Sequence, residues 1–264
     1  MNLNAARVLI TGAAGGIGAA IAAELLGAGA SVLLADMNAA ALATVSAQLP
    51  GQRDRIATVT ANLASAAERT TLCQEAMRRG VNVVINNAGV NHFRLYDDLS
   101  AAQIEQTVTI NVLVPMLLIH ELLPHLRTLP AAQILNLGSV FGNIGYPGYA
   151  AYSASKFAIR GLSEALRREL SGSPVGVHYL APRATRTPIN PKAVVEMNTA
   201  LKVAMDPPEV VARAARRVLE REIDSTIVGW PEKLFARINA ILPGVVDGAI
   251  IGQLPIIRRF ARQQ

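Results

Sequence analysis

The run Arg7-Val8-Leu9-Ile10-Thr11-Gly12-Ala13-Ala14-Gly15-Gly16-Ile17-Gly18 passes from a short apolar strand into a glycine loop. Residues 19–26, rich in Ala and Leu, continue it as a helix. In that context the glycine spacing has a physical meaning. Gly12 permits a tight turn, Gly16 lets the backbone approach a pyrophosphate, and Gly18 lets helix pack on strand. The helix start, at Gly15, Gly16 and Ile17, offers free N–H groups and a positive dipole end to phosphate oxygens. A glycine turn of purely structural use is the competing reading, and the flanking strand and helix weigh against it.

Moving outward, residues 31–35 form a second apolar strand that ends at Asp36, 18 residues beyond Gly18. A carboxylate there accepts hydrogen bonds from the adenosine ribose and repels a 2′-phosphate. No Arg or Lys stands beside it or in the glycine loop, so NAD is expected over NADP. An N-cap for the helix at residues 39–48 is the alternative role for Asp36, although Asn38 can fill it alone. The alternation then repeats. Strands are expected at residues 56–60, 81–85, 133–137, 175–180 and 225–229, and helices at 65–79, 101–126 and 209–221, the second of these bent near Pro115. Such alternation implies right-handed crossovers and a parallel sheet covered on both faces, an α/β fold of the doubly wound Rossmann type. Ligands of these sheets bind at the carboxyl ends of the strands. Gly12, Asp36, Asn87 and Ser139 all fall there.

Tyr152-Ser153-Ala154-Ser155-Lys156 places a phenol and an ammonium four residues apart, on one face of a helix. A nearby cation favours the phenolate, so the pair can serve as acid or base near neutrality. On its own the spacing is common on solvated helices; the convergence of the strand ends raises it above that background.

The ordered set of motifs resembles the short-chain dehydrogenase/reductase family over residues 5–229. Thr11-Gly12-xxx-Gly16-x-Gly18 is similar to the family's cofactor loop, and Asn86-Asn87-Ala88-Gly89 to its sheet-stabilising motif. Asn111, Ser139, Tyr152 and Lys156 fall on its four catalytic positions, with 13 residues between Ser139 and Tyr152. The resemblance implies that Tyr152 is the acid or base and that Lys156 lowers its pKa and bonds the nicotinamide ribose. It also implies that Ser139 donates to the substrate oxygen and that Asn111 holds a water that relays protons. Asn62 and Leu63 fall where the family contacts adenine, and Asn87, Ala88 and Gly89 line the cofactor. Pro182, Thr185 and Thr187 fall beside the carboxamide. Three positions depart from the pattern: Arg183 where a Gly follows Pro182, Asn62 where an Asp is common, and Gly138 where a second Ser is common. Arg183 either crowds the nicotinamide or reaches a substrate anion.

Among 264 residues, 51% are hydrophobic and 17% charged, which excludes a disordered chain. Apolar runs such as residues 112–119 are shorter than a membrane span, and the N-terminus lacks the regions of a signal peptide. One cysteine, Cys73, excludes an intramolecular disulfide and suits a reducing cytoplasm. His92, His120, His125 and His178 are scattered without metal-ligand spacing. The net charge of +6 comes without the basic and aromatic pattern of a nucleic-acid binder.

Two units are expected: residues 1–229 as the oxidoreductase core, with an apolar substrate lid at about 185–205, and residues 230–264 as an extension. The extension carries Leu234, Phe235, Ile238, Ile241 and Leu242 at helical spacing, and Lys233, Arg237, Arg258, Arg259 and Arg262 against Glu232 and Asp247. Pro243, Gly244, Gly248, Gly252 and Pro255 suggest short, interrupted helices packed on the parent subunit or a neighbour, with a membrane surface as the alternative. The expected activity is hydride transfer between NAD(P) and an apolar secondary alcohol or ketone, in a homodimer or homotetramer. A 3-oxoacyl thioester reductase, or a catalytically silent dinucleotide-binding regulator with Arg183 as the disabling residue, are the alternatives.

Overall fold

The computed structural model describes residues 1–51 and 53–262. Gln263 and Gln264, the end of the expected extension, lie outside the described residues. Strand β1 (Arg7–Thr11) shows how the layers arise. Val8 and Ile10 point into one apolar cluster, while Leu9 points into another. Both faces of a strand that reads as a continuous apolar run must be covered, and helices cover them. The chain continues through α1 (Gly16–Gly27), β2 (Ser31–Asp36), α2 (Ala39–Gln48), β3 (Ile56–Thr60), α3 (Ala66–Arg78) and β4 (Val83–Asn86). Then follow α4 (Ala101–Val108), α5 (Val114–Leu126), β5 (Ala132–Leu137), α6 (Ala150–Glu169) and β6 (Val175–Ala181). Helix α7 (Lys192–Ala200), α8 (Pro208–Arg221), β7 (Ser225–Ile227), α9 (Glu232–Ile241) and α10 (Pro243–Ala261) complete it.

The seven strands form one parallel sheet in the order β3-β2-β1-β4-β5-β6-β7. Val8 pairs with Val32 on one side and Val83 on the other. The strand order therefore reverses between β1 and β4, which opens a crevice at their carboxyl ends. Leu25, Leu42 and Val211 cover one face, from α1, α2 and α8; Leu72, Leu118 and Leu122 cover the other, from α3 and α5.

The long helical stretch between residues 101 and 126 departs from expectation in one respect. Its irregularity is a π turn at Thr109–Leu113 within a continuous helix, just before Pro115, whose missing N–H leaves a carbonyl of that turn without its helical donor. By length and composition the stretch could cross a membrane. However, its Val114, Leu118, Leu122 and Leu126 are packed inside the core. The extension also differs from the sequence reading. Only Leu242 breaks it among the described residues, and α10 runs through Gly248, Gly252 and Pro255. Pro243 sits in the first turn, and buried Val246, Ile257 and Phe260 hold the helix against the core despite its poor helix formers.

Candidate active site

The glycine loop is held by its neighbour in the sheet. Asn87 Nδ2 donates to the carbonyls of Thr11 (2.9 Å) and Gly12 (3.0 Å), and the N–H groups of Asn87 and Ala88 donate to Thr11 Oγ1. Gly12 has φ +64°, and a Cβ there would stand 2.7 Å from Ala88 Cα. The position therefore requires glycine on both counts. Gly15 caps α1 without any side chain, so the N–H groups of the first turn remain available to an anion. Thr187 stands over this turn: a Cβ on Gly16 would lie 3.1 Å from its methyl group.

Asp36 closes the far side of the loop. Its Oδ2 accepts from the Ala14 N–H at 3.0 Å and its Oδ1 from the Asn38 N–H at 3.0 Å. Asn38 itself caps α2, as expected. Asn62 folds its amide oxygen onto the N–H of Ala64 (3.1 Å), and the Leu63 side chain is buried in the core. Leu63 can thus meet a ligand only through its backbone. Thr185 is buried and donates to the carbonyl of Arg183, while Pro182 and Thr187 line the cleft.

Around Tyr152 the elements converge. Asn111, in the π turn, accepts from the Val90 N–H (2.8 Å) and donates to the Val90 carbonyl (2.9 Å) and to Ser155 Oγ (3.0 Å). Both of its amide hydrogens are thus engaged by protein. Gly89 passes between the polar groups: a Cβ there would lie 3.2 Å from Asn111 Oδ1 and 3.8 Å from Lys156 Nζ. Lys156 is buried, donates to the Leu137 carbonyl at 3.0 Å, and stands 5.6 Å from the centre of the Tyr152 ring. Ser139, just past β5, lines the same cleft as the phenol, and its Oγ accepts from the Phe141 N–H at 3.1 Å.

Burial dominates the electrostatics here. It pushes the Tyr152 phenol up to about 12, with the Ser139 hydroxyl pulling the other way, and brings Lys156 down to about 8. With Nζ directed at the Leu137 carbonyl, the lysine does not offset the burial of the phenol.

Above these groups lies a cleft of about 500 Å³. Along one wall Phe141 stacks on Tyr146 at 4.8 Å between ring centres and meets Tyr149 at a tilt at 5.0 Å. Val194 and Met197 of α7 and Phe235, Ala249 and Ile250 of α9 and α10 form the other side.

The sequence pattern of the short chain dehydrogenase family matches residues 6–198. The chain is a short-chain dehydrogenase/reductase. Nodulation protein G of Rhizobium sp. (strain N33) is 35% identical over 182 residues, covering 68% of this chain and 73% of that one. A solved 3-ketoacyl-(acyl-carrier-protein) reductase from Brucella melitensis complexed with NADH shares the fold. Its TM-score is 0.80 at 24% identity, over 88% of this chain and 99% of that one. A short-chain dehydrogenase from Sphingobium yanoikuyae in complex with NADPH gives a TM-score of 0.76 at 28% identity, over 93% and 95%. As a member of this family the chain is an oxidoreductase acting on CH–OH groups with a nicotinamide dinucleotide.

Within this short-chain dehydrogenase/reductase, Arg183 has a different place from the one expected. Its guanidinium forks onto Asp206 (2.7 and 2.8 Å), and it also reaches Glu232 (3.3 Å) and the Trp230 carbonyl (2.9 Å). Two carboxylates use up its charge, so it does not wait for a substrate anion. Gly138 is explained by Tyr179, whose ring fills the space a Cβ would need and whose hydroxyl donates to the Ser139 carbonyl at 3.3 Å. Tyr179 gives no sequence signal, being one aromatic residue in an apolar strand. Gln253 also escapes a sequence reading: its Oε1 accepts from the Tyr146 hydroxyl at 2.8 Å, tying α10 to the aromatic wall. His92, His125 and His178 bond Gln106, the Val81 carbonyl and the Ile223 carbonyl respectively. No cluster of three metal-ligating side chains exists among the described residues.

Proposed function

We propose that the chain interconverts an apolar secondary alcohol and a ketone, with Tyr152 as the acid or base. The observation that carries this reading is the placement of the Tyr152 phenol and Ser139 together on an aromatic and aliphatic cleft beside the uncapped start of α1. A nicotinamide dinucleotide, when bound, supplies or accepts the hydride. The residues do the rest. Gly15, Gly16 and Ile17 hold the phosphates, and Asp36 accepts from the adenosine ribose, which favours NAD over NADP. Ser139 donates to the carbonyl oxygen and Tyr152 delivers a proton to it, or takes one in the oxidative direction. Lys156 holds the floor of the site, and Asn111 positions Val90 and Ser155 around it.

The lid at about 185–205 and the extension from residue 230 act as one substrate-binding unit on a core of residues 1–229. Exposed Val108, Leu113, Met116 and Phe157 on the α4–α6 side support a homodimer or homotetramer built through that face. Buried, lone Cys73 suits the cytoplasm.

Following NADH oxidation with a panel of ketones and oxoacyl thioesters tests the reading. Tyr152→Phe should lower turnover at least ~100-fold with cofactor affinity nearly unchanged. Near-normal turnover in that variant would remove Tyr152 from the chemistry, and activity confined to thioesters would replace the ketone assignment.

A further inference from the structure

The hairpin of α9 and α10 has two faces. The inner face is packed: Ala236 and Val246 against Val140 and Ile144, and Ile257 and Phe260 against Phe93, Tyr149 and Met197. The outer face is open. Leu234 and Leu242 are exposed, as are Ile241 (77%) and Val245 (62%). From residue 240 to residue 246 every side chain is apolar or absent, so the bend between the helices is an uncharged tip.

Charge is graded along the hairpin. At 1.5 Å per residue, exposed Arg258, Arg259 and Arg262 stand roughly 20–25 Å from Val245 along α10. On α9, Arg237 stands one turn back from Ile241 and shares its exposed face with Leu234. The hairpin's two acids do not oppose these cations on the outer face. Glu232 is bonded to Arg183, and Asp247, although exposed, turns with Ile251 toward the shallow crevice against Gly145, Tyr146 and Pro147. Trp230, the chain's single tryptophan, is 66% exposed at the base of α9.

A contact between protein copies encloses an apolar centre within a polar rim. Here the apolar end and the basic end are opposite ends of one element. That polarity fits an interface in which the tip enters the acyl boundary while the cations meet phosphate headgroups. We propose that the outer face of the α9–α10 hairpin docks the enzyme on an anionic lipid bilayer, tip first. The docking does not depend on which alcohol or ketone the cleft accepts.

The test is sedimentation of the full chain with phosphatidylcholine vesicles containing about one-third phosphatidylglycerol, alongside pure phosphatidylcholine vesicles. Binding to the anionic vesicles is expected, weakened by salt. The double variant Ile241→Asp/Leu242→Asp should lose at least ~10-fold in vesicle-bound fraction. Its melting temperature and its turnover of a water-soluble ketone should match the wild type. Arg258→Gln/Arg259→Gln should remove the preference for anionic over neutral vesicles. Absence of wild-type binding to either vesicle, or equal binding by the folded tip variant, overturns the proposal. So does light scattering in which the tip variant reduces particle mass while no vesicle binding is seen. That result would give the face, with its open row Gly244, Gly248 and Gly252, to a second copy.

Discussion

Lys156 keeps an ammonium group inside the protein, and its environment holds the pKa near 8 against 10.5 in water. The folded state therefore bears a cost on the order of 3 kcal/mol for that charge wherever the group is protonated in both states. The cost is complete below about pH 8, and it declines as pH rises toward 10.5, where the unfolded side chain also loses its proton. Lys156→Met should accordingly raise the melting temperature at pH 7, less whatever the lost bond to the Leu137 carbonyl contributed. The advantage should shrink at pH 10, and melts at the two pH values check it. Activity should disappear in the same variant, since the proposed site loses the cation that holds its floor. Asp36 permits a separate test of cofactor choice. Its two oxygens already bind the Ala14 and Asn38 N–H groups, so the carboxylate is fixed in place before any ribose arrives. Asp36→Ala should weaken NADH and narrow its advantage over NADPH, as read by fluorescence titration. Tighter binding of NADPH than NADH by the wild type would overturn the assignment.

At the scale of elements, the loop from Arg183 to Asp206 behaves as a unit because both ends are joined. Asp206 bonds the Arg183 guanidinium with its side chain and the Ala184 carbonyl and Arg186 N–H with its backbone. Both side chains are mostly buried, 17% and 13% exposed. Removing one member strands the other, so Arg183→Ala should cost on the order of 2–4 kcal/mol. It should also raise KM for apolar ketones while leaving NADH affinity close to normal. Arg183→Lys should recover little, because an ammonium cannot fork onto two carboxylate oxygens. Thermal melts and ketone kinetics on both variants test this. The strands and the helices that cover them were readable because runs such as residues 31–35 are apolar, bounded by turn residues and evenly spaced. The Tyr152–Lys156 pair was readable because helical spacing is a local property. The Arg183 clamp was not, because Asp206 and Glu232 are 23 and 49 residues away and only the fold brings them together. The unbroken course of α10 was hidden for a similar reason: its glycines and Pro255 read as breaks until the buried face that holds them is seen.

For the whole molecule, the cofactor crevice and the roof over the cleft are separate constructions. Gly12 and Asn87 stand just past the ends of β1 and β4 and Asp36 ends β2, while Phe235, Ala249, Ile250 and Gln253 come from α9 and α10. Ending the chain after Pro231 should leave NADH titration close to that of the full chain and raise KM for apolar ketones about 10-fold or more. A truncated protein with unchanged ketone kinetics would show that the roof takes no part in binding. The roof is entered once, at Trp230, and is tied back by Arg183, Gln253, Asn239 and the packing of Ala236, Val246, Ile257 and Phe260. Such a junction lets inheritance treat the two parts differently. Substitutions that reshape the roof alter which molecules are admitted without disturbing the atoms that exchange protons, so lineages can diversify in diet while conserving their chemistry. For an engineer the same seam is a grafting point, where a foreign roof joined at residue 231 would redirect an unchanged reaction.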